Sequence, residues 1–268
     1  MQPTADEITR RPYVELLAML EESNLPPGGL ATVRDFAQHL GLRPGLLGLH
    51  AGCNAGFLSR EMARRTGAKV VGVDISPAMA EAANLRAKQE GLADLAAYEC
   101  QDTRALNFPD EHFDVVFSGG AMAFVDGHRA AVDEQIRVTK KFGLLGDVQF
   151  YYRDEPSQAL LDQVSEIIEV PVPRYDRDYW ISLYDTPALQ PYWRTDAQAV
   201  TKTDQEIEDY CRQMVARSAG DWPEATQEAL YGRWHHIITS FNENMKHMNY
   251  TAYVYRRVDP GAEPALFI

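Results

Sequence analysis

Residues 46–57 read Leu46-Leu47-Gly48-Leu49-His50-Ala51-Gly52-Cys53-Asn54-Ala55-Gly56-Phe57, and residues 69–77 read Lys69-Val70-Val71-Gly72-Val73-Asp74-Ile75-Ser76-Pro77. In each, a short apolar run ends in a turn of small or polar residues and a helical pattern follows. A strand of four to eight residues that is buried on both faces reads this way. The same rhythm continues outward. Strands are expected at Leu46–Ala51, Lys69–Asp74, Leu95–Cys100, Asp114–Ser118 and Gly143–Phe150, with helices at Phe57–Arg65, Pro77–Glu90 and His128–Lys140. Alternating β and α at this spacing predicts an α/β fold with a doubly wound, mostly parallel sheet. The ligand then belongs at the carboxyl ends of the strands.

Those strand ends carry the chemistry. Gly52, Asn54 and Gly56 sit in the first strand–helix turn, where missing or short side chains let a ligand approach backbone N–H groups. The second strand closes on Asp74, placed to accept both hydroxyls of a ribose. The third leads into Gln101-Asp102-Thr103, and the fourth opens into Ser118-Gly119-Gly120. Asp74 or Asp102 alone reads equally well as a helix cap. Four such features at four successive strand ends exceed what capping explains.

Residues 44–150 resemble the class I S-adenosylmethionine-dependent methyltransferases of the small-molecule type, a Rossmann-like family. The matching segments are LGLHAGCNAGFLSREMA, VVGVDISPAMAEAA, the QDT after the third strand, FPDEHFDVVFSGGAM and EQIRVTKKFG. The resemblance implies S-adenosyl-L-methionine as cofactor, with Gly52, Asn54 and Gly56 at its methionine end and Asp74 on its ribose. It also implies Ile75 and Thr103 flanking the adenine, Asp102 facing the adenine amino group and Ser118 near the sulfonium. Four positions depart from the family pattern. His50 replaces an acid that supports the cofactor's ammonium, and Asn54 replaces a frequent glycine. Phe124 replaces a frequent histidine, and Lys141-Phe142 replaces Pro-Gly. Asn tolerates the left-handed backbone such a turn requires. A neutral His50 imidazole could still accept a hydrogen bond from the ammonium, which keeps His50 among the cofactor-binding candidates.

Two rival readings differ in kind. A dinucleotide dehydrogenase would want G-x-G-x-x-G, whereas Asn54 occupies its second glycine position. A methyltransferase-like fold kept as a catalytically silent binding or regulatory subunit is the alternative that the His50 and Phe124 departures favour.

Composition bounds the partners. The 268 residues carry a net charge of −13, and residues 154–249 alone hold 17 acids against 8 bases. Nucleic acid and anionic membranes are therefore poor partners, and a small-molecule substrate is the expected one. Three widely spaced cysteines, with no CxxC and no apolar leader or span, lead to the expectation of a cytoplasmic protein with reduced thiols. Self-association into a homo-oligomer stays open.

The expected division is residues 1–43 as N-terminal helices, 44–153 as the cofactor-binding core, 154–249 as a helical, aromatic-rich cap for substrate, and 250–268 as a final strand and tail. Helical spacing runs through Pro12–Glu22, Ala31–Leu40, Ser157–Val170, Asp204–Ser218 and Glu224–Met248, and a last strand through Tyr250–Val258. On the Glu224–Met248 helix, Leu230, Trp234, Ile237 and Phe241 form the apolar stripe. His236 and His247 point away from it, and His235 lies on its flank as the general-base candidate. No third ligand accompanies the His235-His236 pair, so no metal is expected. Tyr152, Trp180, Tyr184 and Trp193 are the candidate walls of an acceptor pocket.

Overall fold

The computed structural model describes residues 2–20, 24–172 and 174–259. Two short helices, α1 (Ala5–Arg10) and α2 (Tyr13–Met19), precede α3 (Leu30–His39). The α/β core follows as β1 (Leu47–Ala51), α4 (Phe57–Thr66), β2 (Lys69–Asp74), α5 (Pro77–Gln89), β3 (Ala96–Cys100), β4 (Phe113–Phe117), α6 (His128–Val138) and β5 (Thr139–Tyr152). After it come α7 (Gln158–Ile168), α8 (Arg177–Ser182), β6 (Leu189–Gln198), α9 (Asp204–Ala219), α10 (Glu224–Met245) and β7 (Met248–Arg257). Seven strands form one sheet in the order β3-β2-β1-β4-β5-β7-β6. The first five run parallel, β7 is antiparallel to β5, and β6 is antiparallel to β7. This is the Rossmann-like α/β fold expected, with its order reversing between β1 and β4.

Local chemistry accounts for the elements that shape the site. Ser76 caps α5 by accepting from Met79 N–H, and Pro77 occupies the first turn, where no N–H is missed. Gly56 caps α4 in the left-handed region at φ 76°. A Cβ there would stand 2.6 Å from the Tyr98 ring, whose hydroxyl bonds to Gly56 O and Ser59 Oγ beneath the turn.

The segment between β5 and β7 departs from a purely helical cap. It contributes β6 to the sheet edge, where Pro191 sits beside a bulge between Pro191 and Trp193. Edge strands tolerate proline because one side of the ladder needs no donor. Nor do the N-terminal helices stand apart from this segment. Ile8, Leu16, Leu17 and Leu20 share one buried cluster with Cys211, Met214, Leu230, Trp234 and Ile237, together with Ala55 and Met79 of the core. The helices from both ends of the chain thus form a single roof over the carboxyl ends of β1 and β2. Glu22, Glu21 and residues 260–268, assigned above to a helix and a tail, lie outside the described residues.

Inside the sheet, β5 buries Asp147 fully. Its carboxylate accepts from Val148 N–H, Gln149 Nε2, Tyr184 Oη and Tyr253 Oη. Burial nonetheless pushes its pKa up to about 7. A raised acid pKa favours the fold below the unfolded value of 3.8, and that contribution is lost as pH rises through about 7. Urea titrations of wild type and Asp147→Asn should show the wild-type-minus-variant stability falling by about 1.4 kcal/mol per pH unit between those limits. A difference that stays level with pH would mean the carboxylate ionises freely in the folded chain.

Candidate functional site

The turn after β1 is held from below and from the side. Gly52 N–H and Cys53 N–H donate to Val73 O at 2.9 and 2.8 Å, and Asn54 N–H donates to Asp74 Oδ2 at 2.8 Å. Asp74 Oδ1 accepts from Ser76 N–H at 3.0 Å, so one carboxylate ties both strand–helix turns together. Burial raises its pKa against the pull of these two bonds. Asn54 adopts φ 49° and its Oδ1 accepts from Ala55 N–H. Gly52 stands at φ 71°, and a Cβ there would collide with Ala121 Cβ at 2.2 Å. The backbone can pass this point only without a side chain.

A cavity of about 430 Å³ opens beside these residues. His50, Gly52, Asn54, Asp74, Ile75, Asp102 and Thr103 all line it, so seven of the nine cofactor candidates are brought together. The other two do not line it. Gly56 faces Tyr98 instead of the cavity, and Ser118 is buried one step below the wall, which Gly119 and Gly120 supply. Asp102 is gripped by Arg104 through Nε at 3.0 Å and Nη2 at 2.6 Å, which holds its pKa below the ordinary carboxylate value.

His50 is 3% exposed and stacks on Phe117 at 4.9 Å between ring centroids. Neither ring nitrogen has a protein partner. The ring lies beneath Gly119, where an added Cβ would be 3.4 Å from Nε2. Burial alone lowers its pKa to about 3, so the imidazole is neutral.

A second cavity of about 550 Å³ adjoins the first. Tyr13, Asn24, Pro26, Gly119, Gly120 and Phe124 line both. Its remaining wall is mainly apolar, from Phe150, Val164, Trp180, Phe241, Met245 and Met248 among others, and no Asp, Glu or His of the described residues lines it. Leu25, Phe124 and Val200 are exposed apolar side chains on this wall. Two of the four acceptor-wall candidates are here. Tyr152 lines the cavity and donates to Asn244 Oδ1 at 3.0 Å, and Trp180 lines it with Nε1 donating to Phe150 O.

The other two lie outside both cavities. Tyr184 is buried on Asp147, and Trp193 stacks on His39 at 4.3 Å, away from either cavity. His235 lines neither cavity. It packs on Tyr231 at 5.6 Å, over whose ring Arg212 of α9 also sits. His236 is exposed, whereas His247 bonds to Asp154 instead of standing free in solvent. Sequence reasoning missed Asn24, Gln149 and Asn244. A polar pair at i, i+2 inside an apolar strand, Asp147 and Gln149, was the available signal for one of them. Among the described residues no group of three or more His, Cys, Asp or Glu could hold a metal, and no helix is long and apolar enough to cross a membrane.

The lowered His50 pKa has a sign that can be measured. The unfolded chain takes up a proton on this residue near pH 6.5 and the folded chain does not until about pH 3, so stability is lost as pH falls across that window. In His50→Leu this component disappears. The wild-type-minus-variant unfolding free energy should then drop by about 1.4 kcal/mol per pH unit from 6.5 downward. Parallel profiles would show the imidazole to be hydrated.

Residues 49–146 match the family model described as a methyltransferase domain. An uncharacterized protein of Mycobacterium tuberculosis is 34% identical over 110 residues, 41% of this chain and 39% of that one. A sterol 24-C-methyltransferase of Gibberella zeae is 31% identical over 119 residues, 44% of this chain and 31% of that one. The chain thus matches about two-fifths or less of the length of these curated relatives. In overall fold it is similar to the MccD protein, with TM-score 0.72, 23% identity and coverage of 87% of this chain and 100% of that chain. It is likewise similar to the [4+2]-cyclase SpnF, with TM-score 0.68, 16% identity and coverage of 96% and 97%. The strand order and the turn geometry agree with this match of residues 49–146 to a methyltransferase domain.

Proposed function

We propose that the chain binds S-adenosylmethionine in the first cavity and transfers its methyl group to a mainly apolar small molecule held in the second. One observation carries this reading. Two cavities of different chemistry, one polar and one apolar, meet at a common wall of Gly119, Gly120 and Phe124.

The polar cavity suits the cofactor. Asp74 keeps free lone pairs for ribose hydroxyls after accepting its two backbone bonds. Neutral His50 offers a lone pair to the ammonium, the role an acid fills in relatives. Gly52 lets backbone approach the methionine end. The bound cofactor supplies an electrophilic methyl group on a positively charged sulfur. The chain's own work is alignment: the acceptor atom is held in line with the carbon–sulfur bond, and the roof of N- and C-terminal helices excludes water. Among the described residues no carboxylate or imidazole lines the second cavity, so positioning is the chain's main contribution there.

The competing binding-subunit reading rests on the His50 and Phe124 departures, and the likeness to a [4+2]-cyclase adds only that the fold by itself does not fix methyl transfer. Incubation with methyl-labelled cofactor and a panel of apolar metabolites separates the two. Label transfer to one of them is expected, and tight cofactor binding without transfer to any would favour the silent subunit. Asp74→Ala should weaken cofactor binding by about 1.5–3 kcal/mol in calorimetry, the range for a hydrogen bond to a charged group. Unchanged affinity would place the cofactor elsewhere.

A further inference from the structure

Within the apolar wall of the second cavity one polar group is left over. Gln149 lines this cavity, is 0% exposed, and its Oε1 has no protein partner. The orientation of the amide is set from behind. Nε2 donates to both Asp147 oxygens, at 2.9 and 3.1 Å. Tyr184 Oη and Tyr253 Oη each bond to Asp147 Oδ2 at 3.1 Å, so the carboxylate is itself fixed. With Nε2 committed to Asp147, Oε1 is the amide atom left to accept a further bond.

A second unpartnered group stands next to it. In the β5–β7 ladder Gln149 is directly opposite Thr251, and Thr251 Oγ1 is also buried without a partner. Residues opposite one another across an antiparallel pair hold their Cβ atoms about 4.5–5.5 Å apart. Two buried polar oxygens left without partners are costly, and such groups are normally satisfied by a bound species.

On the reading that this cavity receives the methyl acceptor, we infer that Gln149 Oε1, backed by Thr251 Oγ1, anchors a hydroxyl group on an otherwise apolar acceptor. The chemistry selects a hydroxyl. Gln149 Oε1 can only accept, so the ligand must donate there. Thr251 does not itself line the cavity, but its Oγ1 adds a second unpartnered group beside Gln149. An ether or ketone lacks the donor that Gln149 Oε1 requires, and an ammonium would enter a wall without a counter-charge. Gln149 is thus a specificity-determining residue. A site built to bond a substrate hydroxyl rejects the analogue lacking it, because its own polar groups are then stranded.

Three probes of one ring system test this: 2-naphthol, which donates and accepts; 2-methoxynaphthalene, which only accepts; and 2-methylnaphthalene, which does neither. Binding to the full chain is followed by tryptophan fluorescence, with S-adenosylhomocysteine present. Wild type should prefer 2-naphthol over either analogue by about tenfold or more, against the order of hydrophobicity. Gln149→Met should erase that preference while retaining 2-methylnaphthalene. Thr251→Val should shrink it at least threefold, and decides the matter if Gln149→Met does not fold. Equal affinities in wild type, or a preference that survives in the folded variants, overturns the role of Gln149 and leaves the acceptor cavity standing. Failure of all three probes to bind, with cofactor affinity intact, overturns the apolar acceptor cavity and this inference with it.

Discussion

The Asp74 carboxylate is the constraint on which the site is built. It closes β2 and accepts one N–H from the turn after β1 and one from the turn that starts α5. The same β1 turn also hangs on Val73 O through Gly52 and Cys53. Three consecutive N–H groups of this turn are thereby spent on the end of the neighbouring strand, and the left-handed Gly52 and Asn54 are the conformations that permit it. The cost of partly burying the acid is offset because charge-assisted bonds to fixed N–H donors are among the stronger ones. A carboxylate already held by backbone needs no reorganisation to receive a further donor, and this pre-organisation suits it to the proposed binding role as well as the structural one.

Above this floor the chain closes on itself. Residues near the N-terminus, Ile8, Leu16 and Leu17, pack on Trp234 and Ile237 of a helix more than two hundred residues away, with Ala55 and Met79 of the core in the same cluster. Arg233 strengthens the closure by donating to Ile8, Thr9 and Arg11 carbonyls. Neither terminal region could bury its apolar stripe alone. Their mutual packing produces a roof, and the space between roof and sheet is the pair of cavities. Substrate access and the stability of the roof are therefore properties of the same helices, which is where low local stability would be useful for ligand entry.

Legibility in the sequence follows from how local each signal is. β2 lies where it was read, at Lys69–Asp74, because a β-branched run is bounded by Gly67 on one side and Ser76-Pro77 on the other. The α1 helix was missed although Thr4 and Glu7 form a capping box, since Ile8 is its one buried residue and leaves no periodicity to read. β6 was missed for a comparable reason. Pro191, a bulge and a half-exposed face disguise an edge strand as a loop. The cofactor candidates mostly converge because strand ends converge in any doubly wound sheet. Aromatic residues carry no such rule. Tyr184 and Trp193 looked like pocket walls by composition, yet one serves Asp147 and the other His39. The facing of a side chain beyond the sheet depends on tertiary packing, so His235 could be placed on a helix flank while the neighbour covering that flank stayed invisible.

The division of polarity between the cavities bears on turnover as well as recognition. Asp74, Asp102 and Asp126 line the first cavity, with Arg104 as its single arginine or lysine among the described residues, so its wall carries a formal excess of negative charge. S-adenosylmethionine bears an ammonium, a carboxylate and a sulfonium, a net positive charge that such a wall attracts. On the proposed reading, transfer would remove the sulfonium charge and the product would lose part of that attraction. The second cavity contributes the complementary condition. On the same reading its mainly apolar wall would leave the sulfonium poorly solvated on the acceptor side and so strengthen electrostatic interactions across the shared wall. A charged acceptor would forfeit this, since its own hydration would have to be removed at greater cost. The arrangement, on the proposed reading, would couple selection of a neutral acceptor to activation of a cationic donor. The narrow wall of Gly119 and Gly120, where side chains would separate the two ligands, is the place where both effects act on one bond.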